Sequence, residues 1–396
     1  MFENVASVPP DPILGLSEAF KKDDRAEKMN LTIGVYQDDQ GVTPILAAVQ
    51  KAEKQLCETE NSKGYLGIDG LPAFHQRARE LTLGDLVSED RVAVFQTPGG
   101  TGALRVAADF LGAAFGGSRV WLSTPTWPNH PAVFASAGIA VESYPYLAAD
   151  GKSLDFQAMM DAIETGGKVG DVLLLHGCCH NPTGVDLTES QWEDLAELSA
   201  QRGMLPLIDF AYQGFGCGLD EDRAALKAIS VQHEEFMICS SYSKNFGLYG
   251  ERIGALIAVA PEASAKVNLQ SNIKRAVRCN YSNPPKHGAA IVAAILDSAE
   301  LRAEWEDELS QMRARIHSTR SDFVDAMKQR DCDVDFSFLL QQNGMFSFSG
   351  LTPMQVDWLK NARGVYIVGS GRINVAGISA RNLDYFADAV LEAIKI

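Results

Sequence analysis

The chain has 396 residues, 46% of them hydrophobic and 22% charged, which is ordinary globular usage and too long for one small core. Thirty-five Lys and Arg against 51 Asp and Glu leave a net charge of −16, which argues against nucleic acid and anionic membrane as partners. Small acidic substrates stay open, because a few arginines in a cleft suffice for them.

No run of about 18 apolar residues is present, so no bilayer span is expected. Neither a secretory leader nor an Arg-rich transit segment opens the chain, and its seven scattered cysteines, an odd number, suit reduced thiols in the cytoplasm.

Taken in chain order, residues 1–12 mix Pro9, Pro10 and Pro12 with Phe2, Val5 and Val8 and read as an extended arm seeking an apolar surface. Leu31 to Tyr36 is expected to join a smaller, discontinuous α+β lobe assigned to residues 13–44 and 310–396, around a larger body at 45–309. Within that body, short apolar runs alternate with helical patterns. They are Val92 to Phe95, Arg119 to Leu122, Asp171 to His176, Leu205 to Ile208, Phe236 to Cys239 and Ile253 to Val259. Such runs describe an α/β, mostly parallel sheet covered by helices on both faces, whose ligand lies beyond the carboxyl ends of the strands. Lys286 to Gln329 reads as helical, with Arg302, Glu304, Glu306, Asp307, Glu308, Arg313 and Arg315 as a solvated face. Beyond it, Gly344 to Ser349 and Val365 to Val368 alternate as strands of the smaller lobe.

The residues that carry chemistry fall at the strand ends. Lys244 follows Phe236 to Cys239 among small and hydroxyl residues, in the run Ser240-Ser241-Tyr242-Ser243-Lys244-Asn245-Phe246-Gly247. A lysine there loses hydration and can serve as a Schiff-base nucleophile; alone, it reads better as a surface lysine on a turn. Asp209 ends an apolar strand and needs a cation or strong donor, either a protonated pyridine nitrogen or the N–H groups of a following helix. Gly99-Gly100-Thr101-Gly102 opens a helix and offers N–H groups to a phosphate, which Arg252, Ser241 and Ser243 can also reach. Trp127, followed by Pro128 in a loop, suits stacking on a flat ring. Arg372, between glycines beside an apolar strand, suits a carboxylate or plain solvent. His176-Gly177-Cys178-Cys179-His180 is poorly spaced for tetrahedral zinc, so packed thiols and hydrogen-bonded histidines are expected rather than a metal.

With these residues in view, the chain resembles the fold-type I, class I aminotransferases over essentially its whole length, its bacterial aspartate-using branch above all. The resemblance rests on Tyr65-Leu66-Gly67-Ile68-Asp69-Gly70, His180-Asn181-Pro182-Thr183-Gly184, Ala211-Tyr212-Gln213-Gly214-Phe215, the Lys244 segment and Arg372-Ile373-Asn374-Val375-Ala376-Gly377. It implies a seven-stranded, mostly parallel sheet, pyridoxal 5′-phosphate as cofactor and amino transfer between aspartate and 2-oxoglutarate. By the same resemblance, Lys244 would hold the cofactor and shuttle a proton. Asp209 would pair with the ring nitrogen, and Asn181 and Tyr212 would bond the ring's phenolic oxygen. Trp127 would stack on the ring, with His130 behind it and Asp209. Gly100, Thr101, Ser241 and Arg252 would take the phosphate, joined by Tyr65 of a neighbouring subunit. Arg372 would clamp the substrate's α-carboxylate and the neighbour's Arg278 its distal carboxylate, under a loop at Gly34. A homodimer with shared sites, embraced by the Pro-rich arm, follows from the same likeness.

Two departures stand out: Gly99 lies where many animal members have serine, and Gly250 where asparagine is frequent, both residues that suit a left-handed backbone. Aromatic substrates, a pyridoxal phosphate lyase or decarboxylase, and a cofactor-sensing regulator are the alternatives the same cofactor residues leave open.

Overall fold

The computed structural model describes residues 1–6 and 13–396. Seven strands form the central sheet: β1 (Val92–Pro98), β2 (Arg119–Thr124), β3 (Ala140–Pro145), β4 (Val172–His176), β5 (Leu205–Phe210), β6 (Phe236–Ser241) and β7 (Ile253–Val259). Their spatial order is β1-β7-β6-β5-β4-β2-β3. Only β7 runs against the others, paired antiparallel with both β1 and β6. The expected mostly parallel seven-stranded α/β sheet is therefore present.

The strands read as unbroken apolar runs because both faces are buried. Along β4, Leu173 and Leu175 enter one core, which also takes Ile208, Phe236 and Ile238. Leu174, with Leu207, Met237 and Cys239, enters the other. β3 was not anticipated. It is an edge strand in which only Tyr144 is buried, so its sequence, Ala-Val-Glu-Ser-Tyr-Pro, lacks the apolar signature.

Local chemistry sets the helix ends. Thr188 and Gln191 form a capping box at the helix Glu189–Gln201, as Thr352 and Gln355 do at Pro353–Arg363. The helix Gly99–Ala114 has no side-chain cap, which leaves its first N–H groups to other partners.

Outside the sheet, Met29–Asn30 pairs in parallel with Val365–Tyr366, and Arg372–Asn374 pairs antiparallel with Phe346–Phe348. After Asn30 the Leu31 N–H still donates to Tyr366 O at 2.8 Å, and the chain is then irregular to Tyr36, held by bonds from elsewhere.

The charged residues of the long helix Ala299–Gln329 play a structural part besides facing solvent. Glu308 accepts N–H bonds from Ala47 and Ala48 at 2.7 and 3.2 Å, capping the helix Ala47–Thr59. Arg313 donates to Gly214 O at 2.8 Å and Arg315 to Ile378 O at 2.9 Å, tying the helix to the sheet loops and to the C-terminal segment.

Of the expected N-terminal arm, Phe2 and Val5 are exposed, and Val8, Pro9, Pro10 and Pro12 lie outside the described residues. Among the described residues, no helix is long and apolar enough to cross a membrane.

Candidate active site

The carboxyl ends of β1, β2, β4, β5 and β6 meet around a cavity of about 190 Å3 lined by Gly34, Gly100, Thr101, Trp127, Asn181, Asp209, Tyr212, Ser241, Ser243, Lys244, Tyr249 and Arg252, among others. β7 runs the other way, so its amino end brings Arg252 to the same edge. A larger cavity, about 650 Å3 beside Arg105 and Arg275, contains none of these groups. The smaller cavity is the candidate on chemistry.

Lys244 sits on a tight turn held from beneath. Phe246 stacks on Trp305 at 4.3 Å, and the Trp305 indole donates to Asn245 O at 2.7 Å. No hydrogen bond or ion pair reaches Lys244 Nζ among the described residues, and the amine lies 4.9 Å from the centre of the Tyr212 ring. Desolvation lowers its pKa, the Asp209 charge opposes that in part, and the Arg252 charge adds a smaller lowering.

Asp209 is fixed by a relay from behind the sheet. His130 Nε2 lies 3.1 Å from Asp209 Oδ2, Thr126 Oγ1 lies 2.8 Å from His130 Nδ1, and His176 Nε2 lies 3.1 Å from Thr126 Oγ1. One assignment satisfies all three contacts: His176 donates to Thr126, Thr126 to His130, and His130 to Asp209. Burial pushes His176 down to about 3, so it stays neutral and able to play that part. Asp209 Oδ1 is left without a partner among the described residues. Burial raises the Asp209 carboxyl, but the His130 bond and neighbouring charges lower it further, so the anion persists. Trp127 meets His130 edge-on, with ring centres 5.2 Å apart, which places His130 against both groups.

The anion side is equally specific. Gly99 has φ 73°, which favours glycine, and an added Cβ there would collide with the Arg252 guanidinium. Arg252 itself takes φ 54° and donates to Tyr249 O at 3.0 Å and Ser243 Oγ at 3.4 Å. Among the described residues it has no carboxylate partner. Gly250 does not adopt the left-handed backbone expected of it; that conformation falls at Gly247 and Arg252 instead.

Beside the cavity, Arg372 is 3% exposed and also lacks a carboxylate partner among the described residues. It donates to Thr32 O at 2.6 Å and Asn181 Oδ1 at 3.4 Å, and its guanidinium lies 4.2 Å from the Phe346 ring centre. Its Nε has no partner, and desolvation pulls its pKa down to about 10. Arg320 holds the Phe346 strand by donating to Phe346 O at 3.1 Å.

Tyr65 and Arg278 are not brought to this cavity by their own chain. Tyr65 is 95% exposed, and among the described residues Arg278, also exposed, bonds only to Ser282 Oγ nearby. Sequence reasoning overlooked Tyr249, whose hydroxyl receives the Tyr36 N–H at 2.9 Å, although it lies five residues after Lys244. It also overlooked Phe346 and Thr126, whose roles arise only from tertiary contacts.

His176 and His180 spend their nitrogens on Thr126, Ser123 and Thr183. Cys178, Cys179 and Asp222 offer ligand atoms within 4.8 Å of one another. However, Asp222 already accepts N–H bonds from Gly214, Gly216, Cys217 and Gly218, and burial raises both thiols.

Residues 26–390 match the family described as Aminotransferase class I and II. The chain belongs to that aminotransferase family. Among the relatives of this aminotransferase is an aspartate aminotransferase of Salmonella typhi, 52% identical over 100% of both chains. An aromatic-amino-acid aminotransferase of Pseudomonas aeruginosa is 48% identical over 99% of this chain and 98% of its own. The aminotransferase fold also matches the crystal structure of an aromatic-amino-acid aminotransferase from Burkholderia pseudomallei covalently bound to pyridoxal phosphate. There the TM-score is 0.97, with 45% identity and 99% of each chain covered.

Proposed function

We propose that this aminotransferase moves the amino group of aspartate to 2-oxoglutarate with pyridoxal 5′-phosphate as cofactor, giving oxaloacetate and glutamate. One observation carries the reading. Among the described residues, an amine without a hydrogen-bond partner, a carboxylate with one free oxygen and the Arg252 guanidinium line a single small cavity, and Arg372, also without a carboxylate partner, lies beside it bonded to the lining residue Asn181.

The residues fit the cofactor. Gly100 and Thr101, at an uncapped helix start, join Ser241 and Arg252 as its phosphate cradle, for which Gly99 keeps the backbone and Arg252 close. Trp127 is the flat wall. Asn181 and Tyr212 hold the ring oxygen, and Asp209 Oδ1 keeps the ring nitrogen protonated. When bound, the cofactor supplies a ring that accepts the electron pair left by the substrate's α-proton.

The chain does the rest. Lys244, a neutral amine once freed from holding the cofactor, takes the α-proton and returns it at the other end of the transfer. Arg372 fixes the α-carboxylate in two bonds and so sets which substrate bond faces Lys244. Gly34 covers the substrate, where a Cβ would strike Phe346 Cζ at 2.6 Å.

The same reading makes the protein a cytoplasmic homodimer in which Arg278 and Tyr65 of a second copy reach the distal carboxylate and the phosphate. It also makes residues 45–309 one body and residues 13–44 with 310–396 another, joined through the long helix.

Relatives named for aromatic amino acids match nearly as well as those named for aspartate, so aromatic turnover is the second reading. A panel of aspartate, tyrosine and phenylalanine with 2-oxoglutarate, followed through the bound cofactor's absorption band, separates the two. Aspartate is expected to give the highest kcat/KM. A higher value for either aromatic substrate would replace the first reading with the second.

A further inference from the structure

We infer that Asn374 is a positioning residue that locks the Gly34 backbone over the substrate and couples it to the Arg372 clamp. The inference rests on the reading that Arg372 receives the α-carboxylate.

Arg372 and Asn374 are two apart on one strand, so their side chains share a face. That face is turned to the irregular segment after Asn30. Arg372 donates to Thr32 O at 2.6 Å, and the Asn374 N–H to Leu31 O at 2.8 Å. The Asn374 amide then donates to Ile33 O at 2.7 Å and to Val35 O at 2.8 Å, one on each side of Gly34. Its orientation is not free. Oδ1 accepts the Ala376 N–H at 3.1 Å, which forces the NH2 end toward the loop.

Asn374 is 2% exposed, so water does not compete for these bonds. Beyond the Leu31 N–H bond to Tyr366 O at 2.8 Å, the segment takes its place from this bracket and from the Tyr36 N–H bond to Tyr249 at its far end. Gly34 lines the cavity with Lys244 and Asn181, and Asn181 itself bonds Arg372. One short strand therefore both presents the carboxylate clamp and holds the lid beside it.

The test uses the full-length, cofactor-loaded enzyme with Asn374→Ala and Asn374→Asp. The aspartate variant keeps the shape and the Ala376 bond but cannot donate to the loop carbonyls, so it serves if the alanine variant does not fold. Both are expected to raise KM for the amino acid and the oxo acid by about tenfold, with kcat changed by less than about threefold, as loss of two buried hydrogen bonds implies. The absorption band of the bound cofactor should not move. A lower melting temperature with unchanged KM would make Asn374 merely structural and overturn the inference. A fall in kcat alone would also overturn it. Wild-type turnover is measured first on aspartate, tyrosine and phenylalanine. If aspartate is not the substrate, the functional reading fails, and Asn374 is tested on the amino acid that is used, since every amino acid carries the α-carboxylate.

Discussion

Arg372 lies 3% exposed against the Phe346 ring with its guanidinium bonded to Thr32 and Asn181, whereas Arg278 is exposed near the end of the helix Ala263–Asn280 and bonds Ser282. The first is preorganised: its desolvation cost is met by folding, and an arriving carboxylate finds the geometry already set. The second is a long, hydrated side chain with nothing of its own chain to grip a substrate. On the proposed reading, one carboxylate site would be built into the single chain, and the other would need a second copy. Fixed recognition of the α-carboxylate suits a group common to all amino acids, and adaptable recognition at the far end suits the group that varies among them.

The largest effect should come from breaking the built-in side. Arg372→Leu removes two charge-assisted bonds, about 3–6 kcal/mol or roughly 10²–10⁴ in kcat/KM, for every amino acid alike. Steady-state kinetics on aspartate and phenylalanine check this, and a loss confined to aspartate would reverse the assignment of the two arginines. Arg278→Leu should act less and selectively, lowering kcat/KM for aspartate by about 1.5–3 kcal/mol with phenylalanine far less affected. Equal losses on both substrates would leave Arg278 without a role in specificity.

How much of this was legible in the sequence follows the same division between local and assembled features. β4, β5 and β6 announce themselves because burial on both faces keeps them apolar, and Asp209 and Lys244 stand out as the polar residues that follow. β3 does not, since an edge strand need not be apolar. The course of Leu31 to Tyr36 was not legible, because bonds that place it come from Arg372, Asn374 and Tyr249, far away in sequence. The partners of Glu308, Arg313 and Arg315 were hidden likewise. A charge pattern on a helix does not reveal which carbonyls and helix ends lie within reach. Phe346 and Thr126 carry no motif at all; their parts depend on what the fold sets beside Arg372 and His130.

The central claim is that a complete site needs Lys244 of one copy and Arg278 of another, and mixing two defective variants tests it most directly. Lys244→Ala should abolish turnover, and Arg278→Leu should leave little on aspartate. After unfolding and refolding an equal mixture, random pairing gives mixed dimers in which one of two sites has both native residues, so aspartate activity should recover to about a quarter of wild type. Recovery to no more than the sum of the two variants would contradict the shared site and return Arg278 to the surface on which its own chain leaves it.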